Sequence, residues 1–296
     1  PAEAFHKHRL AQSQAARGAD MLLVQIDPGF ELHLPRAPDV AAALAAVYGE
    51  ANQAPFLLPL NQLLGFIGAW QWQLNGVETG VLAERIHVPY GVFSPLRGEY
   101  LQLIAQAPLP ANAQTAWDIG TGSGVLALLL HQRGLRNISA TDTNPRAIAA
   151  ARANFARAGA DADIRLLEQD LFPQGRADLI VCNPPWLPAK PTSELETALY
   201  DPGHAMLRAL LAGARERLTP QGQLWLVMSD LAEHLGLREP QALAQWFQAA
   251  GLRLANHLQT APQHPKAADD TDPLAFARRR ERTSLYILEA ENGHAA

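Results

Sequence analysis

The stretch "TAWDIGTGSGVLALLLHQRG", residues 115–134, decides the fold. "TAWDIG" is a short apolar run that ends in Asp118 and Gly120. "GVLALLLHQRG" is an apolar run of helical length with a glycine stop at Gly134. Between them Gly120, Gly122 and Gly124 stand as G-x-G-x-G. A strand that turns tightly on glycine into a helix is the opening unit of a doubly wound sheet.

The alternation continues downstream. "NISATD" (137–142) reads as a strand ending in Asp142, and "NPRAIAAARANFARAG" (144–159) as a helix with Pro145 in its first turn. "DIRLLEQD" (163–170) is a strand ending in Asp170, and "DLIVCN" (178–183) one ending in Asn183. Helices are expected over 204–218 and 240–251, and strands over 222–230, 252–258 and 283–289. The expected fold is α/β: a Rossmann-like, doubly wound, mostly parallel seven-stranded sheet over residues 86–296. The Pro-, Asp- and Arg-rich segment 259–282 is an insert before its last strand.

Upstream, residues 1–85 suggest a smaller α+β domain for substrate recognition. Residues 2–17 read as an exposed helix. "MLLVQIDPGFELHL" (21–34) reads as two strands about a Pro-Gly turn, and 37–49 as a helix closed by Gly49. "LLGFIGAWQWQLNG" (63–76) reads as an alternating run with Trp70 and Trp72 on one face, the core side of a small sheet.

Composition bounds the partners. The chain has 296 residues, 48% of them hydrophobic and 18% charged, enough for a sizeable core. Its net charge of -5 does not indicate a strongly basic nucleic-acid binder, although it permits a local basic patch. The single cysteine, Cys182, excludes an internal disulfide and a cysteine-built zinc site, and suggests a reducing, cytoplasmic compartment. No run approaches the length of a membrane span, and the first 20 residues lack the apolar core of a secretory signal. The ten histidines show no metal spacing, so no metal is expected.

In an open parallel sheet the ligand sits outside the carboxyl ends of the strands. Asp118 with its glycines, Asp142, Asp170 and Asn183 all fall at such ends. The glycine spacing is not the dinucleotide G-x-G-x-x-G, and Val125 stands where a phosphate-binding loop needs lysine. The turn opens with an acid, which suits a ligand carrying an ammonium and a sulfonium. Asp142, about two dozen residues on, stands where a carboxylate grips ribose hydroxyls. Asp170 is placed to accept from an adenine amine, with Leu171 and Phe172 beside the ring.

"DIGTGSG", "ATDTNP", "EQDLF" and "NPPW" in this order resemble the motifs of the class I S-adenosylmethionine-dependent methyltransferases. The resemblance covers roughly residues 86–290, and "NPPW" is similar to the (N/D)PP(Y/F/W) motif of the branch that methylates amino groups. It runs closest to HemK-type glutamine methyltransferases, which carry DLGTGSG, DLIVSNPPY and an upstream V-P-x-x-V-x-x-P-R. Here that element reads "VPYGVFSPLRGEY" (88–100), with Leu96 between Pro95 and Arg97, and the last motif ends in Trp186 instead of Tyr. HemK-type enzymes also carry a helical bundle where this chain suggests strands.

The resemblance implies S-adenosylmethionine as cofactor. Asp118, Gly120, Thr121, Gly122 and Gly124 would surround its methionine part, Asp142 and Thr143 its ribose, and Asp170 with Leu171 its adenine. Asn183 would touch cofactor and acceptor alike. Asn183, Pro184, Pro185 and Trp186 would form the catalytic edge, and Arg97 and Tyr100 would add to substrate binding.

The chemistry fits these residue types. An amide or aryl amine is planar and its nitrogen lone pair is delocalised. Two acceptors on its N–H bonds, the Asn183 side-chain oxygen and the Pro184 carbonyl, free that pair toward a methyl group. The prolines fix the backbone so that the carbonyl is held before binding. An indole can stack on the planar group. The expected acceptor is macromolecular, protein glutamine first and a nucleic-acid base amine as the alternative. A non-catalytic protein that only binds cofactor is the second alternative. The basic run "ARRRER" (277–282) reads as a solvated helix face, and Cys182 as buried and inert.

Overall fold

A computed structural model describes residues 1–95, 98–191, 195–262, 269 and 271–291. The N-terminal third holds α1 (Ala2–Ala19), β1 (Leu23–Ile26), α2 (Ala41–Tyr48), β2 (Phe56–Pro59) and α3 (Leu60–Asn75). Strands β1 and β2 pair antiparallel, and their inner residues Ile26 and Leu58 pack with Leu44, Leu63 and Phe66 of the two helices. Helix α1 stands apart from this cluster. Its buried Phe5 packs with Leu235, Leu274 and Ala277 on the main domain.

Two readings of this region are corrected. Residues 21–34 give one strand, because β1 pairs with β2 and the Pro-Gly turn closes only the Asp27–Glu31 bridge. Residues 63–75 lie in helix α3, and Gly76 closes it. Leu63 and Phe66, at helical spacing, reach the core, while Trp72 is 43% exposed. Two tryptophans two positions apart share a face in a strand and point about 200° apart around a helix, so the alternation was a coincidence of spacing.

The main domain runs α4 (Glu99–Gln106), β3 (Thr115–Ile119), α5 (Val125–Gln132), β4 (Asn137–Asp142), α6 (Pro145–Arg157), β5 (Ile164–Glu168) and β6 (Ala177–Cys182). It continues through α7 (Ala205–Arg217), β7 (Leu218–Ser229), α8 (Leu231–His234), α9 (Ala242–Ala249), β8 (Leu252–Thr260), α10 (Ala275–Arg278) and β9 (Thr283–Ala290). The seven-stranded sheet has the order β5-β4-β3-β6-β7-β9-β8, parallel except for β9, which runs antiparallel to β7 and β8.

The central strands β3 and β6 are buried on both faces, as a sheet covered by helices requires, while the edge strands β5 and β8 are partly exposed. Along β6, Leu179 and Val181 join the core under α4, α5 and α6, while Ile180 and Cys182 join the core under α7 and α9. Burial also pushes the Cys182 thiol up, which keeps it protonated and inert.

The topology fixes where a ligand can sit. From β3 the chain winds outward through β4 and β5, then crosses back to place β6 on the other side of β3. The crevice between the carboxyl ends of β3 and β6 is the switch point of the sheet. Antiparallel β9 adds a second contribution. It begins at that same end, with Thr283 opposite Ser229 at the end of β7, so the segment before it is delivered to the crevice.

Candidate active site

The glycine turn is built on Asp118. This carboxylate is fully buried, and its Oδ2 accepts from Thr121 Oγ1 at 2.6 Å and from the Ala127 N–H at 2.9 Å. Gly120, Gly122 and Gly124 have φ of 70°, 56° and 86°, the left-handed region that other residues avoid. Gly124 also lies against Phe155, where an added Cβ would stand 2.5 Å from the ring. The Gly122 N–H donates to Asp142 Oδ2 at 2.9 Å, and Asp142 Oδ1 accepts from the Asn144 N–H. Asn144 in turn caps α6 through the Arg146 N–H, with Pro145 at the first helical position.

The upstream segment is tied to this turn. Buried Asn154 of α6 accepts from the His87 N–H and donates to the carbonyls of His87 and Ser123. The Asn144 side chain donates to the Gly91 carbonyl. These bonds hold residues 91–95 over the crevice as one wall of a cavity of about 620 Å³. That volume lies in the range of small-molecule and cofactor sites.

The opposite wall is the end of β6. Asn183, Pro184, Pro185 and Trp186 all line the cavity. The Trp186 indole N–H donates to Asn183 Oδ1 at 2.9 Å. Tyr100 of α4, 3% exposed, lines the same cavity close to the Asn183 side chain. Burial, and then the nearby Asp118 charge, pushes the phenol well above its usual range, so Tyr100 is neutral.

Of the residues singled out from sequence, Gly120, Thr121, Gly122, Asp142, Thr143, Asn183, Pro184, Pro185, Trp186 and Tyr100 line this one cavity. Asp118 and Gly124 lie beneath the turn and shape it without lining the cavity. Asp170 stands two residues beyond β5, exposed and away from the wall. Leu171, at φ 48°, packs toward the α7 side, and its carbonyl accepts from Thr141 Oγ1. Arg97 lies outside the described residues.

The sequence reading missed the far wall. Tyr200, Leu231, Arg278 and Glu281 also line the cavity. Glu281 is 2% exposed and accepts from Ser229 Oγ at 2.7 Å. Arg278 faces Asp272 at 2.9 Å. The "ARRRER" run is therefore only partly a solvated face, because two of its members turn into the site. Helix α1 braces this wall from outside: Arg9 pairs with Glu196 at 3.1 Å and stacks over the Tyr200 ring.

The sequence pattern of the methyltransferase small domain matches residues 85–255, which hold the glycine turn, Asp142 and Asn183. The chain belongs to the methyltransferase small-domain family. It is 33% identical over 261 residues to the release factor glutamine methyltransferase of Cereibacter sphaeroides, covering 81% of this chain and 84% of the relative. It is 30% identical to the ribosomal protein uL3 glutamine methyltransferase of Neisseria gonorrhoeae over 62% of this chain and 64% of that one. It is 34% identical to the tRNA1(Val) (adenine(37)-N6)-methyltransferase of Aeromonas salmonicida, over 52% of this chain and 67% of that one. The protein is an S-adenosylmethionine-dependent N-methyltransferase with the HemK-like motif set.

The residues present fit that cofactor. Asp118 Oδ1 is buried and has no hydrogen-bond partner among the described residues, an orphan that a cation above the turn would relieve. A Cβ at Gly122 would meet nothing within 4 Å, so the turn leaves space for a ligand to approach the backbone. Asp142 presents a carboxylate on the cavity wall, oriented by two backbone N–H groups.

Proposed function

We propose that this methyltransferase acts on the side-chain amide of a glutamine in a protein. The observation that carries the reading is the placement of Asn183 and Pro184 on the cavity wall, across the sheet's switch point from the glycine turn. The acceptor amide enters beside Asn183, against the face of Trp186. Its two N–H bonds point at Asn183 Oδ1 and the Pro184 carbonyl, which draws the nitrogen lone pair out of conjugation. The indole of Trp186 lies along the planar group and excludes water. Alignment supplies the remaining rate enhancement, and no strong base is needed because a methylated amide nitrogen sheds its extra proton readily.

Gly120, Thr121 and Gly122 would hold the methionine part of the cofactor, with the buried Asp118 carboxyl beneath the turn to balance its positive charge. Asp142 and Thr143 would take the ribose, whereas Asp170 and Leu171 lie off the cavity wall. The bound cofactor supplies the activated methyl group.

Two observations favour protein over nucleic acid. The similarity to the release factor enzyme runs through 81% of the chain, whereas that to the tRNA adenine enzyme spans 52%. The far wall also places the Glu281 carboxylate in the cavity, which opposes the approach of a phosphate backbone. The 34% identity to the tRNA relative keeps an adenine amine as the second reading. Asn183→Ala tests the site: transfer of labelled methyl to the extract protein that the wild-type enzyme modifies should fall at least about a hundredfold with cofactor affinity kept. Transfer at the wild-type rate would remove Asn183 from the mechanism.

A further inference from the structure

The wall of the acceptor pocket contains a hydrogen bond that the proposed chemistry does not require. Asn183 needs only its carbonyl turned toward the acceptor, yet its Oδ1 already accepts the Trp186 indole N–H at 2.9 Å. We infer that Trp186 is a positioning residue for Asn183: its indole N–H selects the orientation of the Asn183 amide and leaves one carbonyl lone pair for the acceptor N–H. This inference rests on the proposed role of Asn183 and adds to it the device that holds the amide in register.

The donor inventory supports it. An asparagine side chain has a carbonyl end with two lone pairs and an amino end with two donors, and the ends are nearly equal in shape. A flipped Asn183 would turn a donor toward the acceptor amine and repel it. An indole nitrogen can only donate, so it bonds only to the carbonyl end. A Phe at position 186 would keep the aromatic face and lose the donor. A Tyr would place its polar atom at the far end of the ring. Trp186 is itself half-buried on the cavity wall, three residues from Asn183 across two prolines that fix the intervening backbone. Its plane is therefore held by the same bond that orients the amide.

The test uses the full chain labelled with nitrogen-15 on its six tryptophan indoles. Trp186→Phe identifies the Trp186 signal by its disappearance. The expected result is an indole proton protected from solvent exchange by about tenfold or more relative to that of exposed Trp72. Asn183→Ala should remove that protection and shift the signal upfield. An unchanged signal in Asn183→Ala overturns the inference. A second arm follows labelled methyl from S-adenosylmethionine into cell-extract protein. Trp186→Phe should lower the turnover rate by about tenfold, the worth of a lost hydrogen bond to a buried amide, with cofactor affinity unchanged. In an Asn183→Ala background the same change should do nothing further, because positioning residues couple to the group they position. Equal losses in both backgrounds would mean that the indole acts on the acceptor directly and would overturn the positioning role. If Asn183→Ala alone transferred at the wild-type rate, the acceptor role of Asn183 would fail, while the exchange measurement would still decide whether Trp186 orients it.

Discussion

The Gly122 N–H points at Asp142 Oδ2 across 2.9 Å, joining the turn after β3 to the end of the neighbouring strand β4. One carboxylate thus sets the turn and faces the cavity. Asp142→Ala should weaken S-adenosylmethionine binding by about 10- to 100-fold, the range for losing hydrogen bonds to a charged group. Titration calorimetry checks this, and Asp142→Asn should retain part of the affinity by keeping an acceptor for the Gly122 N–H.

Two glycines of the turn should respond differently to alanine. At Gly124 the new methyl would meet Phe155 at 2.5 Å on a backbone of φ 86°, so Gly124→Ala should lower unfolding stability by about 2–4 kcal/mol in chemical denaturation. At Gly122 the methyl meets nothing, so the stability loss should stay near the left-handed cost of about 1–2 kcal/mol. Its effect should show in cofactor affinity, because the methyl would stand where the ligand approaches the backbone.

Cofactor binding should depend on pH through Asp118. Burial pushes this carboxyl up to about 7, with the Asp142 charge adding to the shift and hydrogen bonds from Thr121 and the Ala127 N–H opposing it. Its folded pKa lies above the unfolded value of about 4, so its contribution to stability is present below pH 4 and is lost as pH rises through 7. A cation bound over the turn favours the carboxylate. Affinity for S-adenosylmethionine should therefore rise with pH toward about 7 and level off above it, by up to about tenfold per unit below that point. Asp118→Asn should flatten the profile.

Glu281 should affect the acceptor and leave the cofactor alone. Its buried carboxylate sits on the far wall, held by Ser229 Oγ at 2.7 Å. Glu281→Gln keeps the shape and removes the charge. The KM for the protein acceptor should rise by about tenfold while the Kd for S-adenosylmethionine stays constant. An equal loss in both would place Glu281 among the residues that support the fold.

The sheet was legible because its signals are local. A period-2 core residue such as Val181 and a glycine turn each reveal themselves within a few positions. The same holds for Asp118, Asp142 and Asn183, since a strand end is visible in sequence. The α3 segment misled because Trp70 and Trp72 alternate with glutamines over only a few residues, too short a window to separate a strand from an exposed helix end. The far wall was not legible at all. Glu281 reaches the cavity only because β9 runs antiparallel and begins at the site, and Tyr200 is held there by Arg9 of a helix nearly two hundred residues away. Nothing in the run "ARRRER" marks which of its members turns inward.

The most direct measurement of the central claim is the fate of labelled methyl. Purified enzyme is given methyl-labelled S-adenosylmethionine and a cell extract, and the products are split by protease or nuclease. The account predicts label that survives nuclease and appears, after complete proteolysis, on the side-chain nitrogen of glutamine. Label in nucleosides, or no transfer to any component of the extract, would contradict it.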